Sequence, residues 1–232
     1  MQAIILAGGK GTRLKPYTTV LPKPLMPIGD CPILEVVVRQ LKKNGFHKIT
    51  MAVGHQHDLF MAFFGNGEKW DIPIDYYVEK EPMGTAGSLR DINHIEDDFL
   101  MMNGDILTDF SYKLLFDIHK QKKADLTIAT HRRIQSINYG ILEYGENGLL
   151  TKFIEKPSYE YNVSMGIYVL SRSVLRLIPK KGRFDFPDLV KKILAEKMHV
   201  YCHPYDGYWM DIGRLEDYEQ AIEDYDKMKD ML

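Results

Sequence analysis

Apolar positions along this chain come in two periods, and they alternate. Ala3-Ile-Ile-Leu6 is a short continuous apolar run, the pattern of a strand buried on both faces. Ile33 to Asn44 carries an apolar helical stripe and runs into Gly45, a residue suited to a helix C-cap. Lys48 to Val53 reads as a second strand. Leu59 to Phe64 reads as a short helix stopped by Gly65-Asn-Gly67, and Ile72 to Val78 as a third strand. Phe99 to Met102 is a fourth strand leading directly into Asn103-Gly104-Asp105, followed by a helix over Tyr112 to Lys122 and a strand over Asp125 to Thr130.

After residue 138 the pattern changes. Tyr139 to Tyr144 and Leu149 to Ile154 flank Gly145-Glu-Asn-Gly148, which is hairpin spacing. Val163 to Leu170 reads as a strand, Arg172 to Ile178 and Asp188 to Lys197 as helices, Val200 to His203 and Tyr208 to Met210 as short strands, and Leu215 to Met228 as an amphipathic helix. The order predicts an α/β fold, Rossmann-like, with a mixed but mostly parallel sheet and helices on both faces. No internal repeat and no Pro/Gly/Ser linker divides the chain, so residues 1–232 are expected to form one domain.

Open α/β sheets place ligands beyond the carboxyl ends of their strands. Three segments follow expected strands at once: the glycine-rich stretch from Gly8, the stretch around Gly84, and Asp105. They should converge on one edge. In the first, Gly8-Gly9-Lys10-Gly11-Thr12-Arg13 is followed by Pro22-Lys23-Pro24. Glycines let backbone N–H groups approach a phosphate, and an arginine and a lysine beside them suit a ligand with several negative charges. It is not a Walker A loop, since no Gly-Lys-Ser/Thr closes it, and Leu14 stands where a dinucleotide fingerprint needs its third glycine.

These residues, with Glu81-Pro-Met-Gly-Thr-Ala-Gly87, Asn103-Gly-Asp105, Tyr139-Gly140, Glu155-Lys-Pro157 and Trp209-Met-Asp-Ile-Gly213, resemble in kind and in order the signature of the sugar-1-phosphate nucleotidyltransferases. The resemblance runs from residue 1 to about residue 225. It implies a GT-A-like nucleotidyltransferase fold with a small β-rich, sugar-binding elaboration. Residues 1–135 would bind the nucleotide and 136–232 the sugar phosphate. It also implies the reaction: the phosphate of a sugar 1-phosphate attacks the α-phosphorus of a nucleoside triphosphate, and pyrophosphate leaves.

A phosphate monoester is mostly dianionic at neutral pH, so this nucleophile needs no general base. The protein must instead offset the repulsion of two anions. On the resemblance, Arg13, Lys23 and Asp105 are the catalytic residues. Arg13 would grip the triphosphate and Lys23 would neutralise the α-phosphate. Leu6, Ala7, Gly8, Gly9, Gly11, Thr12, Glu81, Gly84, Thr85 and Ala86 would line the nucleotide. Asn103, Gly140, Glu155, Lys156 and Asp211 would bind the sugar phosphate, with Glu155 accepting from sugar hydroxyls. Asp105 and Asp211 would hold Mg²⁺, a hard cation that takes oxygen ligands. The stretch around Gly84 is similar to one found in guanylyltransferases of the family, and the short form is similar to enzymes that guanylylate mannose 1-phosphate or a manno-heptose 1-phosphate. Uridylyl or thymidylyl transfer, or a catalytically silent nucleotide-sugar sensor, are the competing readings. Thr85 would also serve as N-cap of a helix. No hexapeptide repeats follow the resemblance region, so a minimal form is expected.

Composition narrows this only at the edges. With 45% hydrophobic and 27% charged residues the chain is an ordinary globular one, and its net charge of −2 gives no global field for nucleic acid. No apolar run approaches the ~18 residues that span a bilayer. Cys31 and Cys202 are far apart with no metal-ligand spacing, which suits reduced thiols and a cytoplasmic setting. The expected partners are small molecules, an NTP and a sugar 1-phosphate. Self-association into a homo-oligomer is left open.

Overall fold

The first apolar run becomes β1 (Gln2–Leu6), with Ala3, Ile4 and Ile5 wholly buried. The computed structural model describes residues 1–228. Two short paired strands follow, β2 (Pro27–Ile28) and β3 (Cys31–Pro32). Then come α1 (Ile33–Lys43), β4 (Lys48–Val53), α2 (His57–Phe64), β5 (Ile74–Val78), β6 (Asp98–Asn103), β7 (Ile106–Thr108) and α3 (Tyr112–Lys122). The later part contributes β8 (Leu126–Ser136), β9 (Ile141–Tyr144), β10 (Leu150–Ile154), β11 (Ser158–Ser171), α4 (Phe186–Ala195), β12 (Val200–Tyr205), β13 (Trp209–Asp211) and α5 (Leu215–Met228).

Seven strands form the main sheet in the order β12-β8-β11-β6-β1-β4-β5. β1, β4, β5 and β6 run parallel to their neighbours in this group, as does β12 to β8. Only β11 is antiparallel to both its partners, β6 and β8. Alternation along β1 explains the layers. Ala3 and Ile5 join one buried cluster, with Leu34, Val37 and Leu41 of α1, Phe60 of α2 and Leu115 of α3. Ile4 joins the opposite cluster, with Phe186, Leu189 and Ile193 of α4. A third, smaller cluster gathers Leu14, Met26, Ile28, Ile33, Leu107 and Ile212 under Tyr218 and Ala221 of α5. No described helix is long and apolar enough to cross a membrane.

Two expectations need correction, and one strand was not anticipated. Arg172–Leu177 is a 3₁₀ segment, too short to offer the face of an α-helix. β8 and β11 run well past the expected strands, because their outer halves pair with each other, from Ser136↔Ser158 to Thr130↔Ser164, with side chains largely exposed. β7 was not expected. Its three residues pair with β13 through Thr108↔Trp209 and Ile106↔Asp211, a long-range match that no local pattern announces.

Candidate active site

The loop after β1 is tied down at its start and free above. Ala7 N–H donates to Ala52 O at 2.8 Å, continuing the strand register by one residue. Gly11 has φ +58°, and Thr18 Oγ1 donates to its carbonyl at 2.7 Å. A Cβ here would lie 2.9 Å from Thr18 Cγ2 and 3.2 Å from Lys23 Cβ. Glycine at 11 thus lets the loop lie directly against the segment that carries Lys23. Leu14, the residue that broke the dinucleotide pattern, is 1% exposed and anchors the loop in the third core cluster.

Lys23 is buried in a 3₁₀ turn, Lys23–Leu25, and its Nζ pairs with Asp105 Oδ2. Asp105 follows β6 through Asn103-Gly104, and Gly104 N–H donates to Leu6 O at 3.0 Å. Its other oxygen, Oδ1, is buried and has no hydrogen-bond partner. Such an orphan acceptor is costly unless something not of the protein meets it. The β7–β13 ladder brings Asp211 alongside: Ile212 N–H donates to Asp105 O at 3.2 Å. Asp211 keeps open surface, yet protein crowded around its carboxyl, and then the Asp105 charge, raise its pKa, while Lys23 and Arg13 pull it down. A Cβ on Gly213 would be 3.4 Å from a guanidinium nitrogen of Arg13, so Arg13 closes the same group. Residues 13, 23, 105 and 211 thus meet at one place.

A cleft of about 1200 Å³ opens along the carboxyl ends of β1, β4, β5 and β6. Leu6, Ala7, Gly8, Gly9, Gly11, Thr12, Arg13, Lys23, Glu81, Gly84, Thr85, Asn103 and Asp105 all line it. The expected convergence of the loops after the strands is observed. Ala86 is not in the lining. It is wholly buried in the second core cluster and its N–H donates to Phe184 O at 3.1 Å. Asp211 lies beside the cleft without lining it. Thr85 does not cap its own helix, since only a four-residue 3₁₀ segment follows (Gly87–Arg90) and its N-cap is Ala86. Thr85 Oγ1 instead accepts from Phe186 N–H at 2.8 Å, at the start of α4.

Gly140, Glu155 and Lys156 sit apart from the cleft lining, at the base of the β9–β10 hairpin. All three are exposed. A Cβ on Gly140 would lie 2.8 Å from Phe153 and 3.2 Å from Glu155 Oε2, and Glu155 faces Lys156 Nζ at 3.9 Å. These residues adjoin one another. Tyr205 bonds Asp109 and stacks on Phe110 with ring centres 4.8 Å apart, and Trp209 Nε1–H donates to Met165 O at 3.0 Å, so both aromatic side chains are packed.

Other lining residues were missed. His55, Gln56 and His57 follow β4, Glu79 and Lys80 follow β5, and Arg183 and Asp185 precede α4. The first five obey the strand-end rule used for Gly8 and Asp105, so that signal was available. Glu79 is the most distinctive. Its Oε2 would be 3.3 Å from a Cβ on Gly8 and accepts from Met83 N–H at 3.4 Å. Burial raises its pKa, with the Met83 bond opposing.

A family model described as nucleotidyl transferase matches residues 2–228. The chain is similar to a UTP–glucose-1-phosphate uridylyltransferase from Synechocystis, with 32% identity over 96% of this chain and 62% of that one. It is similar to a mannose-1-phosphate guanyltransferase from Candida albicans, with 33% identity over 94% of this chain and 62% of that one. This chain therefore spans less than two thirds of the length of those relatives. A D-glycero-α-D-manno-heptose 1-phosphate guanylyltransferase from Aneurinibacillus thermoaerophilus matches at 31% identity over 95% of this chain and 96% of its own. Among solved structures, HddC from Yersinia pseudotuberculosis superposes with a TM-score of 0.75 at 25% identity, covering 97% and 99% of the two chains.

Proposed function

This chain belongs to the nucleotidyl transferase family, and from that premise we propose that it transfers a nucleoside monophosphate from GTP to a mannose-type sugar 1-phosphate and releases pyrophosphate. One observation carries the reading: Asp105, paired with Lys23 on one oxygen and unpartnered on the buried other, beside Asp211 and Arg13 at the end of a glycine-lined cleft. Silent sensing gains no support, since every charged group the chemistry demands is present, and Arg13, Lys23, Asp105 and Asp211 are grouped.

The roles follow from charge. The glycine loop offers backbone N–H groups to the triphosphate. Arg13 holds the β- and γ-phosphates, whose charge grows as pyrophosphate departs, because a guanidinium binds phosphate oxygens in pairs. Lys23 lies between the α-phosphate and the incoming sugar phosphate and reduces their mutual repulsion. Asp105 keeps the Lys23 ammonium in place. Gly140, Glu155 and Lys156 on the hairpin receive the sugar phosphate, Lys156 taking its charge and Glu155 its hydroxyls.

The orphaned Asp105 oxygen and the raised Asp211 carboxyl fit a divalent cation, which would relieve both. Among the described residues no group of three or more His, Cys, Asp or Glu could hold a metal alone, so substrate oxygens would complete the set. Bound there, Mg²⁺ would supply positive charge to the reacting phosphates.

The choice of guanine is supported by Glu79. A carboxylate accepts two hydrogen bonds side by side, and guanine presents adjacent N1–H and N2–H₂ donors where uracil has one N–H between two carbonyls. HddC has also been crystallised with GMP-PN. The Synechocystis relative supports the second reading, uridylyl transfer. Pyrophosphate release from a panel of NTPs and sugar 1-phosphates, with Mg²⁺, separates them. GTP with mannose 1-phosphate or a manno-heptose 1-phosphate is expected to turn over, and Asp105→Asn to lose roughly 100-fold or more of that rate. No release from any pair would overturn the proposal.

A further inference from the structure

We infer that Arg183 sets base preference, its guanidinium lying against the base of the bound nucleotide and favouring a purine over a pyrimidine. This deepens the guanylyl-transfer reading and rests on it.

Arg183 comes from the later part of the chain yet lines the cleft, on the rim shared with Gly84, Thr85 and Asp185. That rim is built firmly. Phe184 N–H donates to Met83 O at 2.8 Å and Ala86 N–H returns to Phe184 O at 3.1 Å. Thr85 N–H donates to Asp185 Oδ1 at 3.1 Å and Phe186 N–H to Thr85 Oγ1 at 2.8 Å. A Cβ on Gly84, at φ +83°, would lie 2.6 Å from Phe184 O, so the two segments touch backbone to backbone. The loop before Arg183 is clamped too, by Arg90 Nη1 on Pro179 O at 2.9 Å and Gly182 O at 3.0 Å.

On this frame Arg183 is oriented by a single bond, Nε to Asp185 Oδ2 at 3.2 Å. Its Nη groups have no hydrogen-bond or ion-pair partner among the described residues, and 68% of the side chain is open. The cations suited to phosphate, Arg13 and Lys23, are grouped with Asp105 and Asp211, and none of these four pairs with Arg183. Two cleft-lining carboxylates belong to this rim: Asp185, bonded to Arg183, and Glu79, which accepts from the N–H of Met83 beside Phe184. Such a rim repels a triphosphate and accepts a neutral base. A flat, weakly hydrated guanidinium packs well on an aromatic face, and a bicyclic purine offers more of that face than a pyrimidine.

Titration calorimetry with Mg²⁺ on the full chain tests this, using GTP and UTP against wild type, Arg183→Ala and Arg183→Lys. Arg183→Ala should weaken GTP by about tenfold and UTP by about threefold or less. Lysine should not restore GTP binding, because it keeps the charge but not the plane. In turnover, KM for GTP should rise while kcat and KM for the sugar phosphate hold. GTP affinity within about twofold of wild type in Arg183→Ala, full rescue by lysine, or equal loss for GTP and UTP would each overturn the inference, the last by marking a phosphate contact. A wild-type protein that binds no nucleotide would overturn the functional reading as well, so the two failures are distinguishable.

Discussion

Asp211 shows how a side chain suited to the proposed chemistry can stand at a cost to the fold. Its carboxyl is crowded by protein and faces the charge of Asp105, so its pKa is raised. A carboxyl raised in the folded state binds protons more readily folded than unfolded. It therefore adds stability at low pH, and that stability is lost as pH rises through its folded value. Replacing it by Asn removes the ionised form and its penalty. Asp211→Asn should melt above wild type at neutral pH, and the gain should vanish as pH falls below about 4. Pyrophosphate release should fall sharply in the same variant. Melting curves across pH check the first expectation and the release assay the second. That Arg13, Lys23, Asp105 and Asp211 should be brought together was legible from the sequence, because each sits in one of the motifs that carry the family resemblance. Glu79 was legible in principle, since it stands at a strand end, but Arg183 was not. Nothing local marks a lone arginine among Lys180, Lys181 and Gly182 as facing the cleft.

At the scale of elements, the two ends of the cleft depend on different kinds of contact. The end with Lys23 and Asp105, proposed to hold the phosphates, depends on a glycine turn and a two-strand ladder. The end with Arg183, proposed to hold the base, depends on the interlock of residues 83–86 with 184–186. Thr85 contributes to that interlock as the acceptor for the first N–H of α4, a role its position in sequence does not suggest. Thr85→Val keeps the branched shape and removes the acceptor. It should lower stability by about 1 kcal/mol, as measured by chemical denaturation. Strand and helix existence was read well from periodicity, for example β4 at Lys48–Val53, α3 at Tyr112–Lys122 and α5 at Leu215–Met228. The extended outer halves of β8 and β11 were under-read because their side chains are exposed and carry no in-and-out alternation; only their mutual pairing makes them strands.

Across the whole molecule, the proposed nucleotide and sugar-phosphate parts are not separable bodies. β11, from the later part, lies in the middle of the sheet between β8 and β6, and β13 completes the ladder that positions Asp105. The full chain should accordingly unfold in one cooperative step, with circular dichroism and tryptophan fluorescence giving the same midpoint. A 1–135 fragment, lacking the partner that covers the exposed edge of β6, should not fold; a fragment with native-like exchange protection would contradict this.

Local pattern was enough to determine that the chain is α/β, that its cleft-lining loops follow strand ends, and which charged residues to expect beside that cleft. Those features depend on side-chain period, turn chemistry and residue type, all of which are local. Tertiary structure alone decided by what contact two acids 106 positions apart become neighbours, that one oxygen of Asp105 is left without a partner, and that Arg183 lines the cleft. Each of these comes from long-range pairing, β7 with β13 and the 83–86 segment with 184–186. Such pairing is selected by the energy of the whole packed chain, and no short window of sequence contains it.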